Sequence, residues 1–539
     1  MTMKNIKTYI AALGLVATMI SCNDLEDINV NPSFPVDVSA PALLPPIEQQ
    51  MAVGLQFDNR CLGRYTQNFS TATAGAVGSE WDRFGYQSNS DTGGEIWKMA
   101  YFSIGLNLTK LQEKAVSEQR HDITGIAKVI RAWTWQVATD YHSELINFDQ
   151  VFTSRLSFDY VPQEQVYAEV VRLLNEGLID LNRTDGSVSQ TYTAGGDKMY
   201  GGDRSKWVKF AYGVLARNLN NQINKASYNP DKVIEYCDKS LASNADNALI
   251  RYNGTVAADI NFYGPGRNNF NTYRQTDFAV RTMDGTLFGG AKDPRISRVL
   301  APSVGQSELA PASSTNPDPS KYTFNGNPLN TTASTVATNV SRIPNIYGTY
   351  TAGTITTPGR YIFRDKANFP LMTYSEIQFI KAEAAFIKGD KAMALDAYKK
   401  AIDANIDFVN SNTVVSTIFP ITSTITAAEK TAFLTNVNIV PTAANLTISQ
   451  IMLQKYVALF GYGMLETWTD LRKYHYNPDV YRTMNFTPNG GLFVDNNGNL
   501  PYRVRPRFNS EYVWNFDALK AIGADKVDYH TQEMWFSKK

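Results

Sequence analysis

The chain has 539 residues, 43% of them hydrophobic and 19% charged, with 51 basic side chains against 51 acidic. A net charge of zero excludes the basic excess that nucleic acid or an anionic surface demands of a protein. The length suits several domains or one extended array, and after the first 22 residues no apolar stretch is long enough to span a bilayer.

Lys4 and Lys7 make the start positive, and residues 8–20, TYIAALGLVATMI, are almost wholly apolar. That run falls short of the roughly 20 residues a helix needs to cross a hydrocarbon core. A basic start, a short apolar centre and small residues at its end describe an export signal over 1–21 that is later removed. Positions 19–22, Met-Ile-Ser-Cys, form a loose bacterial lipoprotein cleavage box, in which the cysteine becomes the first residue and is acylated. The alternative is a signal peptide with an incidental cysteine beside the cut, but exported chains seldom leave an unpaired thiol there. Two or three acyl chains, at about 0.8 kcal/mol per buried methylene, hold a protein on a membrane where one holds it marginally. Cys22 is the expected lipid attachment site.

Residues 22–50 form an expected tether, rich in proline (Pro32, Pro35, Pro41, Pro45, Pro46), where helices should not persist. Residues 51–539 are expected to form a single binding domain. Helical periodicity predicts helices near 95–118, 123–144, 163–182, 205–225, 230–243, 373–388, 391–405 and 447–475. Loop chemistry fills 57–93, 253–294, 302–358 and 484–510, where TPNGG and DNNGN signal turns or hairpins. Cys61 and Cys237 are the other thiols. They could pair in an oxidising compartment, but Cys237 falls in register with Val233 and Leu241 and reads more simply as a buried helix-face thiol.

The clearest helix pair lies in AEAAFIKGDKAMALDAYKKAIDAN, around residues 382–405. Ile377, Ile380, Ala384 and Ile387 share one face of the first helix, Gly389-Asp390 turns the chain, and Ala394, Tyr398 and Ala401 line the second. The second helix resembles that of a tetratricopeptide repeat, although Ala382 and Ala385 depart from the usual Gly and Tyr of the first. Residues 229–243 resemble another second helix. The expected fold is mainly α: about four tetratricopeptide-like helix pairs forming a frame, with long irregular loop excursions and a few short strands.

Four widely spaced histidines (His121, His142, His475, His530) and no HExxH, CxxC, G-x-S-x-G or phosphate-loop pattern give no motif for a metal, a cofactor or a nucleophile. VDNNGNLPYR (494–503) imitates a calcium loop but has Leu500 where glycine is required, so it reads as a hairpin turn. A glycosidase needs only two suitably spaced carboxylates, which sequence alone does not exclude. Aromatics interleaved with polar residues do recur in the loops: GSEWDRFGYQSNSD (78–91), NFYGPGRNNFNTYRQTDF (261–278) and RIPNIYGTY (342–350). Flat rings beside Asn, Asp and Arg suit sugar rings, and equally suit peptides. Large aromatics also pin loops to a frame. The expected ligand surface takes Trp81, Tyr86, Tyr273 and Tyr347 as apolar platforms, with Asn268 and Arg274 as hydrogen-bonding groups.

LMTYSEIQFIKAEAAF (371–386) and ISQIMLQKYVALFGYGMLETWTDLRKYHYNP (448–478) resemble the two signature segments of SusD/RagB-type nutrient-binding outer-membrane lipoproteins. PYRVRPRFNSEYVWN (501–515), WVKFAYGVLAR (207–217) and KDPR (292–295) match as well, and CNDLEDINVNPSFP (22–35) is typical of that group. GIAKVIRAWTWQVATDYHSELINFDQ (125–150) also matches, except that His142-Ser143-Glu144 replaces the expected Gly-Asp turn. Within these segments Thr447 and Gln450 form a capping box, and Tyr456, Phe460 and Trp468 read as packing residues. The resemblance implies a lipid-anchored, non-enzymatic protein at the cell outer membrane. Such a protein caps a SusC-like TonB-dependent barrel transporter and delivers an oligosaccharide or, as in RagB-like members, a peptide.

Overall fold

A computed structural model describes residues 38–303, 322–334, 342–348, 359–416 and 422–539. The signal over 1–21, Cys22 and Tyr350 lie outside the described residues. The first helix, α1 (Leu44–Tyr65), begins inside the stretch expected to be a tether and runs on into the first expected loop. Pro45 and Pro46 do not prevent it, because they occupy its first turn, where backbone N–H groups have no partner in the helix anyway. After β1 (Phe69–Thr71) come α2 (Gly105–Ser117), α3 (His121–His142), β2 (Leu145–Ile146), β3 (Tyr160–Val161), α4 (Gln163–Asn182), α5 (Arg204–Asn220), α6 (Pro230–Lys239), β4 (Ala248–Ile250) and β5 (Tyr273–Gln275). β6 (Phe369–Met372), α7 (Tyr374–Lys388), α8 (Lys391–Ser411), α9 (Ala427–Thr435), α10 (Ile448–Leu459) and α11 (Met464–Lys473) follow.

Four helix pairs stand in series: α3 with α4, α5 with α6, α7 with α8, and α10 with α11. Each pair is joined to the next by packing of α4 on α5, α6 on α7 and α7 on α10. The expected α-rich frame of tetratricopeptide-like pairs is therefore present. The α3–α4 contact is close because two glycines meet there. A Cβ on Gly125 would stand 2.7 Å from Leu181 Cγ and 3.0 Å from the carbonyl oxygen of Gly177. In the α7–α8 pair, Gly389 takes φ +90° and Asp390 caps α8 by accepting from Met393 N–H at 2.9 Å. Ala394, Tyr398 and Ala401 are fully buried, as their spacing predicts, and Tyr398 donates to Ile439 O at 2.9 Å. Ile387 is not on the buried face: it is 41% exposed at the end of α7.

The stretch expected as one helix over 447–475 is two. Thr447 and Gln450 form the capping box that starts α10, but Gly461 at φ +87° ends it and Met464 begins α11. Among the described residues the three sheets are two-stranded and antiparallel, pairing β1 with β5, β2 with β3, and β4 with β6. The 494–503 segment makes a turn, with Asn497 at φ +49° and Gly498 at +81°, but no strands flank it, so it is not a hairpin. Cys61 and Cys237 are both buried, free thiols. Among the described residues no helix is long and apolar enough to cross a membrane.

Candidate functional site

The loop following β1 is fixed before it reaches the surface. Asp82 accepts from Thr71 N–H through both carboxylate oxygens, at 3.2 and 3.1 Å, and Arg64 Nη1 donates to Gly78 O at 2.7 Å. Arg83 then donates to the carbonyl oxygens of Gly490, Gly491 and Leu492 at 2.7–3.0 Å, and Asn496 Nδ2 donates to Phe84 O at 3.0 Å. Gly85 is needed at this seam, since a Cβ there would lie 2.3 Å from the Phe493 ring. Further on, Asp91 pairs with Arg507 and accepts from Asn509 N and Nδ2 at 2.9 and 2.8 Å. Two segments more than 400 residues apart are thereby zipped together.

Between them opens a cleft of about 310 Å³, walled on one side by Tyr86 and the polar run Gln87, Ser88, Asn89 and Ser90, and on the other by Arg505, Phe508 and Tyr512. The half-buried Tyr86 ring lies under the Arg505 guanidinium, 4.5 Å from centroid to Cζ, and its hydroxyl donates to Asp495 Oδ2 at 2.9 Å. It packs edge-on against His530 at 4.8 Å; burial pushes that imidazole down to about 4, so a neutral ring supports Tyr86. Burial and the Asp495 carboxylate together raise the Tyr86 phenol, which remains a protonated donor. Arg505 is itself held by Tyr512 Oη and Ala524 O, each accepting at 2.9 Å. Phe508 and Tyr512 stack with centroids 5.6 Å apart. The cleft offers aromatic faces ringed by amide, hydroxyl, carboxylate and guanidinium groups, which is chemistry for holding a neutral polar molecule. Among the described residues no group of His, Cys, Asp or Glu is placed to hold a metal ion.

Of the six expected contact residues, Trp81 and Tyr86 line this cleft and the other four do not. Trp81 is 1% exposed and packs on Tyr65 with centroids 5.3 Å apart, so it is a wall beam with no open face for stacking. Tyr347 is fully buried, accepting from Phe270 N–H at 3.0 Å and donating to Gly264 O. Arg274 is buried as well, with Nη1 on the carbonyl oxygens of Asn271 and Tyr273, and burial lowers it to about 10. The burial of Trp81, Tyr347 and Arg274 differs from the open placement expected of ligand platforms and donors, and the contacts of all three hold loops together. Tyr273 is half-buried against Phe69 and Phe270 on β5, and Asn268 is exposed at φ +56° after a tight turn.

Sequence reasoning missed Arg505, Phe508 and Tyr512. They sit in PYRVRPRFNSEYVWN, which has the same interleaving of aromatics and polar groups as 78–91 but reads there as a fold-bearing segment.

A SusD-like family profile described as "Starch-binding associating with outer membrane" matches residues 32–505. The chain belongs to the SusD-like family. Solved structures similar to this SusD-like protein include a SusD/RagB family protein from Bacteroides thetaiotaomicron, at 19% identity and TM-score 0.68, covering 93% of this chain and 99% of that one. A chitin-binding protein matches at 19% identity and TM-score 0.69, covering 93% and 100%. A chitin-binding SusD homolog from Flavobacterium johnsoniae matches at 15% identity and TM-score 0.65, covering 92% and 98%. At these identities the likeness establishes the fold. No curated protein matches the chain.

Proposed function

We propose that this SusD-like protein is a non-catalytic lipoprotein, anchored through Cys22 at the outer membrane and exposed at the cell surface. It binds an oligosaccharide in the Tyr86–Tyr512 cleft and passes it to a SusC-like TonB-dependent barrel. The observation that carries the reading is Tyr86, a flat ring with one edge tied to Asp495 and a guanidinium over its face. Sugar rings have apolar C–H faces and hydroxyl edges, which suit the Phe508–Tyr512 ring pair and the polar groups gathered around Tyr86. The family description and the chitin-binding neighbours support carbohydrate as the ligand class.

Isothermal titration with chitin and malto-oligosaccharides tests it. Wild type should bind one series without releasing product, and Tyr86→Ala should weaken binding tenfold to a hundredfold, about 1–3 kcal/mol, with its melting temperature little changed. Binding that is intact in Tyr86→Ala would move the ligand elsewhere. Saturable binding of oligopeptides with no response to either sugar series would replace sugar with peptide.

A further inference from the structure

A second, larger cleft of about 590 Å³ shares a wall with the first: Arg507 lines both. The divider is the π-helical turn Phe508–Tyr512. Residues four apart lie on one side of such a wide turn, and Phe508 and Tyr512 line the first cleft while Ser510 and Glu511 line the second. The opposite rim of the second cleft includes Tyr101 and Phe102, from another π-helical turn, Met99–Ser103. The pair of clefts is thus bordered by two such turns, a rare backbone form that occurs frequently at functional sites.

The second cleft differs in chemistry. Its mouth is apolar and open to solvent: Phe102 is 66% exposed, Leu156 92% and Trp514 77%. Its two cations are ion-paired, and its buried carboxylate, Glu511, is taken up by neutral donors. Lys98 pairs with Glu95 at 3.0 Å and Arg507 with Asp91. The buried Glu511 carboxylate accepts from Trp97 Nε1 and Asn515 Nδ2, each at 3.1 Å, and from the Tyr160 hydroxyl. An anionic ligand would find no free cation there and the Glu511 carboxylate is buried away from the mouth, whereas an apolar ring would cover rings that now face water.

We propose that this cleft receives an uncharged aryl or acyl group carried on the oligosaccharide held in the first cleft, so that one amphiphilic ligand straddles the Phe508–Tyr512 turn. The proposal rests on the oligosaccharide reading given above. The shared Arg507 wall argues for a single ligand over two independent ones, because whatever fills the first cleft ends beside the second.

The test compares methyl and 4-methylumbelliferyl glycosides of chitotriose and maltotriose, with free 4-methylumbelliferone as a third probe, on wild type, Trp514→Ala, Leu156→Ser and Tyr86→Ala. Trp514 and Leu156 are exposed, so their replacement leaves folding intact. The aryl glycoside should bind wild type about tenfold tighter than the methyl glycoside. Trp514→Ala and Leu156→Ser should erase that gain while leaving methyl glycoside affinity unchanged, and Tyr86→Ala should weaken both glycosides. Equal affinity for the two glycosides, or a gain that survives Trp514→Ala, overturns the aryl site and leaves the oligosaccharide reading standing. If no glycoside binds but free 4-methylumbelliferone does, in a Trp514-dependent way, the single-ligand proposal and the oligosaccharide reading both fall.

Discussion

Ser143 shows what the backbone conformation of a single residue can cost. It follows α3 with φ +79° and ψ −100°, a conformation that glycine adopts freely and an L side chain does not. It lies in the His142-Ser143-Glu144 stretch, which stands where the resemblance to SusD/RagB proteins leads one to expect a Gly-Asp turn. The strain is held in place by Thr139 Oγ1 donating to Ser143 O at 2.7 Å. Glu144, next along, accepts from Arg503 Nη1 at 2.7 Å and Tyr529 Oη at 2.9 Å. Ser143→Gly should therefore stabilise the protein by about 1 kcal/mol, the relief of strain exceeding the extra entropy of an unfolded glycine. Denaturant melts check this, and a loss of stability would mean the serine side chain contributes more than its backbone costs. At this scale the sequence was partly legible. Tyr86 could be found from its polar neighbours, but Trp81, Arg274 and Tyr347 have the same kind of neighbours and are buried. Local pattern reports which residue types are near in sequence. It does not report which ring a helix such as α1 will cover.

Elements were legible where apolar spacing and end signals agree. α7 and α8 repeat apolar residues at helical spacing, and their ends carry Gly389 and Asp390, so periodicity and punctuation agree. α1 escaped because it is buried on several faces and fills them with polar groups: Gln56 donates to Asn261 Oδ1 at 2.6 Å, Asn59 to Tyr263 Oη at 2.8 Å, and Asp58 accepts from Ile96 N–H at 2.8 Å. The start of α1 also lies in a proline-rich stretch that reads as a tether. The segments carrying the family resemblance prove to be joined by buried charge. Arg217 of α5 donates to both oxygens of Glu376 on α7 at 2.9 Å and pairs with Glu466 on α11 at 2.8 Å. Glu383 of α7 pairs with Lys473 of α11 at 2.8 Å and accepts from Asn220 Nδ2 at 2.8 Å. Asp470 would be raised by burial, but Lys455 and Lys473, each at 2.8 Å, hold it below the usual carboxylate range. Removing one partner leaves a buried charge uncompensated, so Glu383→Leu should cost about 3–5 kcal/mol. Glu383→Leu combined with Lys473→Met should cost less than the sum of the two single changes, as urea denaturation of all four proteins will show. Strict additivity would mean that the two side chains do not stabilise each other.

For the whole molecule, fold class was the most legible property, because the helix pairs follow from repeated periodicity. The anchor leads to a direct expectation. Wild type should incorporate labelled palmitate and partition with membranes, whereas Cys22→Ala should lose the label and either remain uncleaved or be released. Absence of label in wild type would leave Cys22 an incidental thiol. The cleft was least legible because its two walls are joined by contacts such as Asn509 to Asp91, spanning 418 positions. That separation also orders events in time. A chain made from its N-terminus carries the Tyr86 wall long before the Arg505 wall exists, and closing so long a loop becomes affordable only after the intervening helix pairs have drawn its ends together. The cleft is therefore completed late in folding, and under the proposed reading a protein that binds has already closed it.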